Sequence, residues 1–200
     1  MRNITISMAI VAITLPALTH AWGDAAHRAI GLLTKKLLRP EISPRLEAVL
    51  ALDPVTKGDF GAAAAWADTV VADPKYASTK ELHYAQMTGT SPQQCSKIES
   101  DARPESGNVY GAIDTYTHKM LYDKDVQERE QNKTRPESIK FLFNFLTDIF
   151  QPMHITAEYN NGRDAKLYWK NSQASLHDIW DTHLVEERLR EFNDQPALYA

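Results

Sequence analysis

The sequence predicts a mainly α-helical protein with at most one small β-hairpin. Three observations carry that expectation. Apolar residues recur three and four apart through most of the chain, the period of a helix with one buried face. Strand-like character is limited to short stretches, chiefly Ala165–Trp169 just after the turn residues Asn160-Asn161-Gly162. No segment repeats, and 200 residues at 43% apolar and 24% charged suffice for one domain with one packed core.

The first element is a targeting segment. Arg2 gives a short positive start, and residues 4–18, ITISMAIVAITLPAL, are apolar but too short to cross a bilayer. Thr19 and Ala21 are small residues three and one before a cut. A signal peptide over residues 1–21 is expected, with a mature chain starting Trp22-Gly23-Asp24; a buried N-terminal helix is the alternative. No other stretch is apolar enough to span a membrane, so the mature domain, residues 22–200, is expected to be secreted or in the secretory lumen, off the membrane.

The remaining elements follow in order. His27, Ile30, Leu33, Leu37 and Leu38 mark a helix over 24–38, closed by Pro40. Ser43 as N-cap and Pro44 at the first position open a short helix over 43–51. Residues 61–72, GAAAAWADTVVA, are helical, and 81–87 are strand or extended. Residues 88–107 read as a loop around Cys95. A helix over 108–122 precedes a charged, exposed stretch over 123–135, where Asn132-Lys133-Thr134 is a glycosylation sequon in an exported chain. The central helix, 138–150, carries Phe141, Leu142, Phe145, Leu146 and Ile149 at helical spacing. A last helix spans 175–192.

Charge excludes one class of function. The net charge is −4, or −5 without Arg2 (21 Lys and Arg against 26 Asp and Glu). A protein that holds nucleic acid by neutralising phosphates with Lys and Arg is normally more basic. Any anionic substrate must be held otherwise, and bound metal is the candidate. The single Cys95 is a buried thiol, an intermolecular bridge, or half of a disulfide whose partner lies elsewhere.

The metal-ligating residues stand out by context. Asp68 lies in an alanine-rich helix and Asp148 in an apolar one, where an unpaired carboxylate is costly. Asn144 shares the face of Asp148, and Pro152 turns the chain before His154. His177 and Asp181 are four apart, so one ion can bind both. Together with His83 these make three imidazoles and three carboxylates without a thiolate, a set suited to catalytic Zn²⁺. His118 and His183 read as non-ligands.

In order and spacing these residues resemble the zinc-dependent single-strand nucleases of fungi, plants and protists, class I nucleases that include 3′-nucleotidases and are distantly related to zinc phospholipase C. The resemblance rests on Trp22 with His27 five residues on, Trp66-Ala67-Asp68 with His83 fifteen later, Asp148 followed six on by His154 in Gln151-Pro152-Met153-His154, and His177 with Trp180-Asp181. It runs from Trp22 to about Glu187. It implies a zinc phospholipase C/nuclease-like helical bundle, a monomer, holding three Zn²⁺: one on Trp22 (amino nitrogen and carbonyl), His27 and Asp148, one on Asp68, His83 and Asp148 with a fourth ligand from the central helix, one on His154, His177 and Asp181. Asp68 carries the catalytic role as well. The implied reaction is hydrolysis of single-stranded DNA or RNA, and of 3′-nucleotides, by a metal-activated water, leaving 5′-phosphates. Tyr84 is the implied base-stacking residue and Gln86 a base-reading one. Cys95 is implied to pair with a cysteine in C-terminal helices beyond residue 200, whose loss would expose apolar surface. The sequence departs from the family at Asn144, where a zinc-binding histidine is expected, at Val71, where relatives carry a basic residue, and at Gln86, where some use an acid. Asn144, Val71 and the short C-terminus keep open a degenerate, non-catalytic nucleic-acid-binding member, and the shared zinc scaffold keeps open a phospholipase C-like lipase.

Overall fold

A computed structural model describes residues 22–85, 107–122 and 128–199. The signal segment, Gln86 and Cys95 lie outside the described residues. Helix α1, Asp24–Leu37, has Asp24 in its first turn and Lys35 and Lys36 in its last, each opposing the local end of the helix dipole. Helix α2 is Ser43–Leu50 and α3 is Phe60–Val70, whose first turn is capped by Asp59 accepting from the Ala62 N–H at 2.8 Å. Helices α1 and α3 pack along their length because both are small-faced at the contact. A Cβ on Gly31 would lie 2.3 Å from the Phe60 carbonyl oxygen and 2.9 Å from the Ala64 Cβ, so only glycine fits there.

Helix α4 is Val109–Tyr122, and α5, Glu128–Asp148, is the spine of the molecule. It begins ten residues earlier than the sequence suggests. Charged residues and Pro136 mask its first half, yet Pro136 sits within the helix, fully buried. The backbone of Asn132 is therefore helical rather than in an irregular stretch. Against α5 the core forms from Trp66, Ala67, Val109, Ala112, Tyr116, Phe141, Leu142 and Phe145. Trp66 meets Phe141 edge-on at 5.3 Å between centroids, and a second cluster joins Leu50, Phe60, Ala63 and Ile139.

Of the residues 81–87 expected to be strand or extended, 81–83 end a 3-10 helix, Ala77–His83, after which the chain extends through Tyr84. After α5, Gln151 caps the short helix α6, Pro152–Ile155. The hairpin pairs β1, Lys166–Trp169, antiparallel with β2, Ser172–Ser175, in the register Lys166 to Ser175. The expected last helix is divided. Helix α7, Leu176–Asp178, opens on a capping box between Ser175 and Asp178, passes through a π turn, Ile179–His183, and continues as α8, Leu184–Arg190, before the terminal α9, Pro196–Tyr199. Among the described residues no helix is long and apolar enough to cross a membrane. Several apolar side chains are exposed, among them Leu37 and Phe150, and Trp22, Ile30, Phe143, Leu146 and Phe150 line an apolar groove of about 360 Å³.

Candidate metal centre

Four elements deliver the inner half of the site. His27 comes from α1, Asp68 from α3, His83 from the end of the 3-10 helix, and Asp148 from the last position of α5. All four are buried, Asp68 keeping 6% exposure and Asp148 none. His27 Nε2 is 3.2 Å from Asp68 Oδ2 and 3.4 Å from Asp148 Oδ1. His83 Nδ1 is 2.8 Å from Asp148 Oδ2 and 3.7 Å from Asp68 Oδ1. The outer half gathers His154 from α6, His177 from α7 and Asp181 from the π turn. Their ligand atoms lie within 4.8 Å of one another, the spacing of one shared cation. The rings of His154 and His177 stack, 5.5 Å apart.

Each imidazole is oriented by the same device. The Thr147 hydroxyl donates its proton to the Asn144 carbonyl, so His27 Nδ1–H donates to Thr147 Oγ1 at 2.7 Å. His154 Nδ1 donates to the His83 carbonyl at 2.8 Å and His177 Nδ1 to the Asn161 carbonyl at 2.7 Å, since a carbonyl can only accept. His83 Nδ1 donates to Asp148. In all four neutral rings the lone pair is then on Nε2. The Nε2 atoms of His83 and His154 are buried without a hydrogen-bond partner, as is Asp148 Oδ1. His177 Nε2 faces Asp181 Oδ2 at 2.7 Å, lone pair to lone pair unless a proton or cation lies between. Engagement of one ring nitrogen with the other left bare is how metal-binding histidines are held. The donor set of imidazole and carboxylate fits a divalent cation such as zinc.

Asn144 is also fully buried at the centre. Its Nδ2 donates to the Ala64 carbonyl and to Asp68 Oδ2, both at 3.1 Å, and lies 3.4 Å from His27 Nε2. The Ala64 carbonyl fixes this amide orientation, because the flipped form would set two oxygens against each other. Asn144 thus meets Asp68 as a donor, and its Oδ1 has no hydrogen-bond partner.

Electrostatics follow from burial and pairing. Burial alone would raise Asp148, but its contacts with His27 and His83 outweigh it and hold the carboxyl down at about 2. Burial pulls His27 and His83 down, and the carboxylates of Asp68 and Asp148 more than reverse it, so both are raised. Burial lowers His154 to about 4 and raises Asp181 to about 6, the latter against the pull of His177, Gln151 and Arg163. Gln151 donates to Asp181 Oδ1.

The start of the chain is tied to both halves. Trp22 Nε1 donates to the Thr147 carbonyl at 3.1 Å, and the Gly23 N–H to the Asp181 carbonyl at 2.8 Å. Residues 22–199 match the family model described as S1/P1 Nuclease, over the same span that carries these donors. The chain belongs to the S1/P1 nuclease family. Its similarity to curated relatives agrees: Endonuclease 1 of Arabidopsis thaliana is 30% identical over 88% of this chain and 57% of its own length, and Endonuclease 2 of the same plant is 29% identical over 84% and 57%. Nuclease S1 of Aspergillus oryzae is 25% identical over 93% of this chain and 61% of its own. The chain thus spans about three fifths of the length of these relatives.

Of the residues singled out from the sequence, His27, Asp68, His83, Asn144 and Asp148 come together in one half of the site, and His154, His177 and Asp181 in the other. Tyr84 lies beside the second half, its ring tilted 30° against His154 at 4.4 Å. His183 stacks on Trp169 instead, and Val71 follows the end of α3. Sequence reasoning missed Arg163 and Thr147. Arg163 Nη2 donates to the Tyr84 hydroxyl at 2.9 Å and lies 3.2 Å from His177 Nε2. No spacing rule points to Arg163, because an unusual turn carries it into place. Thr147 was legible only as the neighbour of Asp148.

Proposed function

We propose that this chain is an exported, zinc-dependent hydrolase of single-stranded DNA and RNA that also accepts 3′-nucleotides and releases 5′-phosphates. One observation carries the reading: four buried imidazoles, each with Nδ1 engaged and Nε2 turned inward, two of those Nε2 atoms without a hydrogen-bond partner and two facing carboxylates, gathered among three buried carboxylates. The residues that would hold zinc are Trp22, His27 and Asp148; Asp68, His83 and Asp148; and His154, His177 and Asp181. Bound zinc supplies Lewis-acid polarisation of a phosphate and a water acidic enough to attack near neutral pH.

The chain's own residues do the positioning. Asp68 is the inner carboxylate with residual exposure, so it is the one an attacking water reaches, and it takes that water's proton. Asn144 holds Asp68 Oδ2 through its N–H. Asp148 orients His83, and Thr147 orients His27. Tyr84 and Gln86 receive an unpaired base, which favours single strands. Removal of residues 1–21 exposes the Trp22 amine, Asn132 carries glycan, and the protein acts as a monomer.

A second reading is favoured by Asn144, which offers N–H where a ligand is expected: a member that binds nucleic acid without cleaving it. Elemental analysis separates the two. A chain starting at Trp22 is expected to carry zinc and to cut single-stranded DNA without releasing phosphocholine from lecithin. A zinc-free protein contradicts the proposal. A zinc-bearing but silent protein that gains cleavage on Asn144→His supports the second reading.

A further inference from the structure

We propose that Arg163 holds the phosphate of the substrate beside the His154–His177–Asp181 group; the inference rests on the hydrolase reading above and names the residue that gives that site its anion contact. The residues preceding Arg163 form a left-handed turn. Tyr159, Asn160, Asn161 and Gly162 have φ of 50°, 54°, 56° and 76°, and Tyr159 has no steric reason to accept that region. A Cβ on Gly162 would lie 2.5 Å from the Met153 sulfur. Strain of this kind persists where the surroundings over-determine it. The turn does two things at once. The Asn161 carbonyl takes the His177 Nδ1 proton, which turns His177 Nε2 inward, and Arg163 then follows with its guanidinium at that same Nε2.

The guanidinium is held in place, with Asp181 the carboxylate near enough to feel its charge. Tyr84 accepts from Nη2 at 2.9 Å, and the guanidinium carbon stands 5.2 Å from the centre of its ring. Cations on neighbouring elements are committed elsewhere, Arg28 to Asp24 and Lys140 to Asp53. Once the lone pair of His177 Nε2 is used by a cation, its contact with Arg163 is released. A guanidinium beside a metal-binding group is repulsive unless an anion sits between them, and a phosphate oxygen pair matches the guanidinium fork. Arg163 thereby supplies positive charge to the site in a chain of net charge −4.

The test compares the zinc-loaded protein with Arg163→Met and Arg163→Lys by zinc content, calorimetric affinity for inorganic phosphate, and steady-state cleavage of oligothymidylate. All three are expected to hold equal zinc. Arg163→Met is expected to bind phosphate about 10- to 100-fold more weakly and to raise the oligothymidylate KM by a similar factor, the scale of one charge-assisted contact. Arg163→Lys, which keeps the charge but not the fork, should lose about three- to tenfold, and decides the matter if the methionine variant does not fold. Unchanged phosphate affinity in the variants overturns the proposal, as does loss of zinc from them, which would make Arg163 a prop for His177. A parent protein that binds no phosphate also overturns it. If the parent binds phosphate through Arg163 but leaves oligothymidylate intact, the nuclease reading fails while the role of Arg163 stands.

Discussion

Asn144 and Asp148 sit one turn apart on α5 and face the same buried interior, yet they act oppositely there. Asp148 accepts, holding His83 and facing His27; Asn144 donates, holding Asp68. Replacing Asp148 with alanine leaves the buried His83 Nδ1 without its partner and removes a carboxylate facing His27, and should cost about 3–5 kcal/mol, read by urea unfolding. The outer half has a pH signature. His154, held at about 4, takes up its proton more readily when unfolded, so its contribution to stability falls as pH drops from 6.5 towards 4. Asp181, raised to about 6, keeps a proton in the folded chain that the unfolded chain releases, so its contribution falls as pH rises from 3.8 to about 6. The two oppose each other, and chelator-treated Asp181→Asn should therefore gain stability from pH 4 to 6 more steeply than the parent. A flat profile in that variant would contradict the environment assigned to His154. At this scale the sequence was informative wherever burial made a polar residue costly, as at Asp68 and Asp148. It was silent on Arg163, whose polar neighbours in the chain give no sign that a left-handed turn delivers it to His177.

The elements exist to bring distant ligands together, and their contacts set the tolerance. Helix α1 can bring His27 to Asp68 only because Gly31 lets it approach α3. Gly31→Ala should destabilise by about 1–3 kcal/mol through overpacking, seen as a lower melting temperature, and should weaken metal binding with it. The long apolar period of α5 was legible from Phe141 to Ile149, whereas its first half was not, since Pro136 and neighbouring charges imitate a helix boundary. The four-residue spacing of His177 and Asp181 correctly placed them together, although the helix between them widens into a π turn that no residue pattern announces. The 3-10 helix before His83 was hidden for a related reason: it is short and takes its shape from packing against α4 and α5.

For the whole molecule, the proposed action on a polyanion requires this acidic chain to acquire positive charge, and the cluster of buried donors is where it can do so. The first described residues close that cluster, with Trp22 tied to α5 and Gly23 to the π turn. A protein that retains residues 1–21 is therefore expected to carry less zinc than one starting at Trp22, by elemental analysis of both. Whether these imidazoles and carboxylates form a zinc centre that hydrolyses single-stranded nucleic acid is decided by following cleavage of single-stranded DNA by the chain starting at Trp22, before chelation, after EDTA, and after zinc is restored. Cleavage that EDTA abolishes and zinc brings back is the expected result. Cleavage that survives complete removal of metal, or its absence from fully zinc-loaded protein, would contradict it.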